Sequence, residues 1–127
     1  MKSEVKFLSI RKCCISPVCI EVIQKYPSHL KYLDISMFNG SDRFVSNLVA
    51  KSKSLESINM SQCNHKLVSK CLTKIRKQNC LTTIDLCCMN QQFSNRLKFA
   101  SAKKLVKKCR QLTDVSFCTT GKYFCLK

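Results

Sequence analysis

Apolar residues recur along the chain in one short signature: apolar, two residues, apolar, one residue, apolar. It is read at Val5, Leu8 and Ile10, at Leu30, Leu33 and Ile35, and at Leu55, Ile58 and Met60. It returns at Leu81, Ile84 and Leu86, and at Leu112, Val115 and Phe117. The starts lie 25, 25, 26 and 31 residues apart. Within each copy the later apolar residues alternate with polar ones, which is the pattern of a half-buried strand. Five short parallel strands are therefore expected, beginning near Val5, Leu30, Leu55, Leu81 and Leu112.

Between the strands the apolar period lengthens to that of a helix. Ser16 and Pro17 supply an N-cap and a first-turn proline ahead of Ile20, Ile23 and Tyr26. Ser41 or Asp42 can cap a helix carrying Phe44, Val45, Leu48 and Val49. Leu67, Val68, Cys71, Leu72 and Ile75 form a third stripe, and Phe99, Ala102, Leu105, Val106 and Cys109 a fourth. A strand–loop–helix unit cannot bury its apolar face alone, but stacked units can. The expected architecture is an α/β solenoid of about five strand–helix repeats, one domain over residues 1–127.

These residues resemble the leucine-rich repeat family, and its cysteine-containing branch in particular. Cys13 and Cys63 stand at that branch's post-strand cysteine position, replaced by Phe38, Met89 and Thr120 in the other copies. Asn39, Asn64 and Asn90 follow directly. The stretch from Leu105 through Cys109 to Leu112 is the closest single match, and Leu48 through Ser52 to Leu55 matches with Ser for Cys. Cys80 adjoins Leu81 instead of preceding it by three, so that copy departs from the pattern. The resemblance implies a parallel sheet on a concave face with helices outside. It also implies binding through that face, as in the substrate-recognition repeats of F-box ubiquitin-ligase receptors. An F-box is a separate helical module of about 40 residues. With the first strand at Val5, none is expected within this chain.

Alternation along the strands turns the non-core positions onto the concave face. The first row would be Phe7, Tyr32, Ser57, Thr83 and Asp114, and the second Ser9, Asp34, Asn59, Asp85 and Ser116. A third would be Arg11, Ser36, Ser61, Cys87 and Cys118. Phe7, Tyr32, Asp34, Asn59, Asp85 and Asp114 are the candidate partner-binding residues, because interfaces favour exposed aromatics flanked by polar groups.

Charge adds a second candidate surface. The chain carries 23 Lys and Arg against 7 Asp and Glu, a net charge of +16. Most of the excess falls on the helices and their flanking loops. Lys103, Lys104, Lys107 and Lys108 lie one helical turn apart and share a flank, a basic patch suited to phosphate. No aromatics interleave with them, so single-stranded bases would find no stacking platform.

The remaining chemistry is incomplete. Eleven cysteines suggest disulfides, but the number is odd, and Met1 to Ile20 is a poor export signal. A cytoplasmic or nuclear, thiol-reducing setting is expected, with Cys13, Cys63, Cys71 and Cys109 as buried free thiols. No stretch approaches the roughly 18 apolar residues of a membrane span. Cys13, Cys14 and Cys19, or Cys63, His65, Cys71 and Cys80, lack the paired spacing of a zinc site. No nucleophile–base pair, phosphate-binding glycine loop or carboxylate pair is present, so neither enzyme activity nor a cofactor is expected. The reading that follows is a non-enzymatic protein–protein interaction module, similar to the recognition repeats of an F-box receptor, with ubiquitin-ligase subunits among the possible partners. The alternative is a nucleic-acid or ribonucleoprotein-associated protein using its Lys-rich helical side.

Overall fold

The computed structural model describes residues 4–13, 15–25, 29–86, 104, 107–119 and 122–125. The elements run β1 (Phe7–Ser9), α1 (Pro17–Gln24), β2 (Tyr32–Asp34), α2 (Asp42–Lys51), β3 (Ser57–Asn59), α3 (His65–Ile75), β4 (Thr83–Leu86), β5 (Asp114–Thr119) and β6 (Lys122–Cys125). The strands form one sheet in chain order. β1 to β5 are parallel, and β6 folds back antiparallel on β5. The α/β class with five parallel strands alternating with helices is as the sequence predicts. The antiparallel sixth strand was not expected.

Each strand starts two residues after its leading apolar residue, and the hydrogen bonding explains the offset. The carbonyls of Lys6, Lys31, Glu56 and Thr82 each accept two N–H groups from the next repeat, as from Lys31 and Tyr32 to Lys6 at 2.8 and 3.0 Å. The leading Leu30, Leu55, Leu81 and Leu112 thus sit before the ladder and turn into the core, where all four are buried. Leu33, Ile58, Ile84 and Val115 stack behind them, and Ile10, Ile35, Met60 and Leu86 form a third buried tier.

The ladder ends in the same turn three times. The N–H of Cys13, Phe38 and Cys63 donates to the carbonyl of Ile10, Ile35 and Met60. The residue before each donor is left-handed, with φ of 57° at Lys12, 56° at Met37 and 58° at Gln62. At Gly40 an added Cβ would come within 2.6 Å of the Phe38 ring, so a side chain there would displace a buried aromatic.

The helices are capped as their sequences require. Ser16, Ser41 and Asn64 accept from the N–H groups of Cys19, Phe44 and Leu67, each satisfying an otherwise orphaned donor. The predicted stripes Phe44, Val45, Leu48, Val49 and Leu67, Val68, Cys71, Leu72, Ile75 are all buried. Together with the strands they make a single core on one face of the sheet. α1 covers less: Ile20 and Ile23 are partly buried, while Val18 and Val22 are 70% and 53% exposed. Tyr26 and most of the fourth predicted helix lie outside the described residues, although Lys104, Lys107 and Lys108 are helical.

Three of the four cysteines expected to be buried are buried: Cys63, Cys71 and Cys109. Cys13 is exposed, which corrects the expectation. The post-strand thiol packs on the repeat before it, as Cys63 does by donating from Sγ to the Ile35 carbonyl at 2.9 Å. β1 is an edge strand, and the Cys13 thiol reaches only the carbonyl of Arg11 in its own turn, at 3.4 Å.

Candidate protein-binding face

Strand register assembles the candidate face. Phe7, Tyr32, Ser57, Thr83 and Asp114 are Cα partners across five strands, and so are Ser9, Asp34, Asn59, Asp85 and Ser116. Both rows therefore lie on the sheet as the alternation predicts. The first row is graded. Phe7 is 62% exposed and its ring stacks on that of half-buried Tyr32, with centroids 4.7 Å apart. Ser57 and Thr83 are small and half-buried, and Asp114 is exposed.

The second row has work in the backbone. Asp34 Oδ1 accepts from the Ser36 N–H at 2.9 Å and its hydroxyl at 2.6 Å. Asn59 Oδ1 accepts from the Ser61 N–H at 2.9 Å, and the Ser61 hydroxyl donates to Asp85 Oδ1 at 2.9 Å. These side chains close the turns that follow β2 and β3 and, from Ser61 to Asp85, tie one repeat to the next. The sequence signal for this is an Asp or Asn two residues before a Ser at a strand end, in Asp34-Ile35-Ser36 and Asn59-Met60-Ser61. Asx side chains accept from the backbone two residues on. Asp34, Asn59 and Asp85 are half-buried and keep only part of their polar capacity for a partner.

Charge on this face is balanced locally. Lys31 Nζ lies 3.3 Å from Glu56 Oε1, both half-exposed, just ahead of β2 and β3. His29 Nδ1 lies 3.7 Å from Glu4 Oε1. Exposed pairs of this kind stabilise weakly. The sheet also carries the carboxylates of Asp34 and Asp85 in the second row and of Asp114 at the end of the first.

The expected basic patch is placed in part: Lys104, Lys107 and Lys108 are exposed and helical, and Lys103 lies outside the described residues. Sequence reasoning missed Gln78, which occupies the position three before Leu81 where the other repeats have Ser52 and Cys109. All three are buried. Gln78 Nε2 donates to the Val49 carbonyl at 2.8 Å, its own carbonyl accepts from the Gln111 amide, and Oε1 is buried with no partner. The equal three-residue offset from the next leucine was the available signal.

Among the described residues no group of three or more His, Cys, Asp and Glu could hold a metal ion. Burial pushes the Cys63 thiol up to about 11, opposed by the backbone N–H groups of Phe38 and Met37 and assisted by the charge of Asp34. Burial likewise raises Cys71, with smaller contributions from Cys63 and Asp42. Both thiols are thus poor nucleophiles at neutral pH. Among the described residues no helix is long and apolar enough to cross a membrane.

No family model and no curated protein matches this sequence. Among solved structures the chain is similar to Leiomodin-1 Actin-Binding Site 2 (ABS2), with a TM-score of 0.68 and 12% sequence identity. The match covers 91% of this chain and 71% of that one. At that identity the likeness is one of fold.

Proposed function

We propose that this chain is a non-enzymatic protein-binding module, a short leucine-rich-repeat-like solenoid whose concave sheet face receives a partner segment. The observation that carries the reading is the Phe7–Tyr32 stack, an exposed apolar shelf at one end of a row that becomes small and then acidic. Aromatic anchors beside polar rims are what interfaces favour. The structural neighbour is by its title an actin-binding site, which supports a protein-binding use of such a fold without supplying the ligand. Kinship with the recognition repeats of F-box receptors, and hence a ubiquitin-ligase setting, rests on the repeat resemblance alone.

The expected partner segment has an aliphatic or aromatic residue to lie on the Phe7–Tyr32 shelf and Lys or Arg to meet Asp85 and Asp114. Selection of binders from a random peptide library on the full chain tests this. Selected peptides should carry that pattern and lose about 1–3 kcal/mol of binding to Tyr32→Ala. They should bind a Lys104→Glu, Lys107→Glu variant unchanged. Peptides, or a native partner, indifferent to Tyr32→Ala but abolished by the Lys reversals would sink the reading and favour the nucleic-acid alternative. That alternative also requires a steep fall of affinity with salt.

A further inference from the structure

The helical side carries a feature that the sheet-face reading does not use. α2 and α3 turn their apolar stripes into the core, and between their outer faces lies a groove of about 330 Å³. It is lined by Arg43, Ser46 and Asn47 of α2 and by Lys70, Thr73 and Lys74 of α3. Three of the six are cationic and none is acidic. Asp42 is the neighbour of Arg43 in sequence, yet it is not part of the lining. The ion pairs of His29 with Glu4 and of Lys31 with Glu56 lie elsewhere.

The hydrogen bonding narrows the ligand. The Ser46 hydroxyl donates to the Arg43 carbonyl at 3.1 Å, and the Thr73 hydroxyl donates to the Ser69 carbonyl at 3.0 Å. Both protons are spent on their own helices. The donors that remain are the Arg43 guanidinium, the two lysine ammoniums and the Asn47 amide. An occupant must therefore bring several acceptor oxygens and negative charge. Lys70 and Lys74 are one turn apart on α3, where like charges oppose the helix, and an anion between them and Arg43 removes that penalty. A guanidinium fork with two point-charge ammoniums suits phosphate oxygens.

Size and composition select a compact ligand over a polymer. The volume is that of a small-molecule site. Helices of 10 and 11 residues bound the groove to about 15 Å by their rise per residue. No aromatic ring lines it, so nucleobases have nothing to stack on. We propose that the α2–α3 groove is a binding site for a compact polyphosphate group, clamped between Arg43 on one wall and Lys70 with Lys74 on the other.

Isothermal titration of the full chain with inorganic tripolyphosphate, against sulfate at matched ionic strength, tests this. Saturable binding of one tripolyphosphate is expected, with sulfate much weaker. Arg43→Gln, and Lys70→Gln combined with Lys74→Gln, should each weaken it by about tenfold or more. Lys104→Gln with Lys107→Gln removes the same charge as the Lys pair and should leave binding intact. Circular dichroism of each variant checks that it is folded. Vesicles bearing a doubly phosphorylated inositol lipid form a second arm. Recruitment that depends on the groove residues assigns the group to a headgroup, while binding of soluble tripolyphosphate alone assigns it to a free ligand. Equal losses in the groove and control pairs would reduce the effect to net charge and overturn the proposal. So would unchanged binding in the groove variants, or a uridine oligonucleotide that binds far more tightly through Lys104 and Lys107.

Discussion

The rings of Phe7 and Tyr32 lie 4.7 Å apart with their planes 1° from parallel, which is the spacing of the neighbouring strands that carry them. The two residues are Cα partners in the parallel ladder, so the same side-chain direction on each strand places one ring flat on the other. Stacked aromatics contribute about 0.5–1.5 kcal/mol beyond their buried area. A double-mutant cycle of Phe7→Ala and Tyr32→Ala, read by urea denaturation, should give a coupling in the lower half of that range because Phe7 is largely exposed. A coupling near zero would mean the stack adds nothing to the fold.

Cys63 makes stability depend on alkaline pH. Its thiol titrates near 9.0 when unfolded and about 11 in the folded chain. The raised value means that the folded state keeps a proton the unfolded state loses. Its contribution is present below pH 9 and is lost as pH rises from about 9 through 11, roughly 2–3 kcal/mol in all. Denaturation midpoints of the wild type should fall across that window more steeply than those of Cys63→Ala. Parallel slopes would refute the assignment. At neutral pH, iodoacetamide should label Cys13, Cys19 and Cys80, which are exposed, well before Cys63, Cys71 and Cys109.

The strand register and the core could be read from the sequence because they follow from periodicity. A spacing of 25 to 26 residues stacks Leu30 on Leu55 and Leu55 on Leu81, and alternation then fixes which residues face out. What could not be read depends on where a repeat sits in the array. Cys13 and Cys63 are equivalent in sequence, but only Cys63 has the Ile35 strand beside it. α1 has the cap and spacing of the other helices yet leaves Val18 and Val22 exposed. β6 escaped notice because Lys122 to Cys125 is short and lies past the last repeat, although Gly121 between two β-prone runs was a hairpin signal. The second polar row was legible as a face but not as a set of turn-closing acceptors, since its hydrogen bonds run partly between repeats, as from Ser61 to Asp85.

Left-handed backbone at the strand exits predicts a stabilising substitution. Gln62 is exposed and held at φ 58°, a conformation that costs a residue with a Cβ about 1 kcal/mol. Gln62→Gly should relieve that cost, offset by the greater freedom of glycine in the unfolded chain, for a net gain of a few tenths up to about 1 kcal/mol. Gln62→Val should lose stability, because a β-branched side chain tolerates this region worst. Thermal melts of the pair, ordered Gly above wild type above Val, check it.

Gln78 ties α2 to the loop between α3 and β4, where its amide is the donor. It is 2% exposed, and Nε2 holds the Val49 carbonyl at 2.8 Å while Oε1 has no partner. Gln78→Met removes the unpartnered oxygen together with the donor and leaves the Val49 carbonyl only the Ser52 N–H at 3.2 Å, so the loss expected is that of one net hydrogen bond, about 0.5–1.5 kcal/mol. Gln78→Glu keeps the shape and replaces the donor by a second acceptor. At pH 7 a buried carboxylate would then face a carbonyl oxygen, a loss of about 3–5 kcal/mol, as for an uncompensated buried charge. Burial raises the pKa of such a carboxyl above its unfolded value, and once protonated it can donate to Val49. The deficit of Gln78→Glu against wild type should therefore shrink as pH falls from 7 toward 4, while that of Gln78→Met stays constant. Urea denaturation of the three proteins at both pH values reads this directly, and a deficit in Gln78→Glu that does not change with pH would show that the Val49 carbonyl does not depend on this donor.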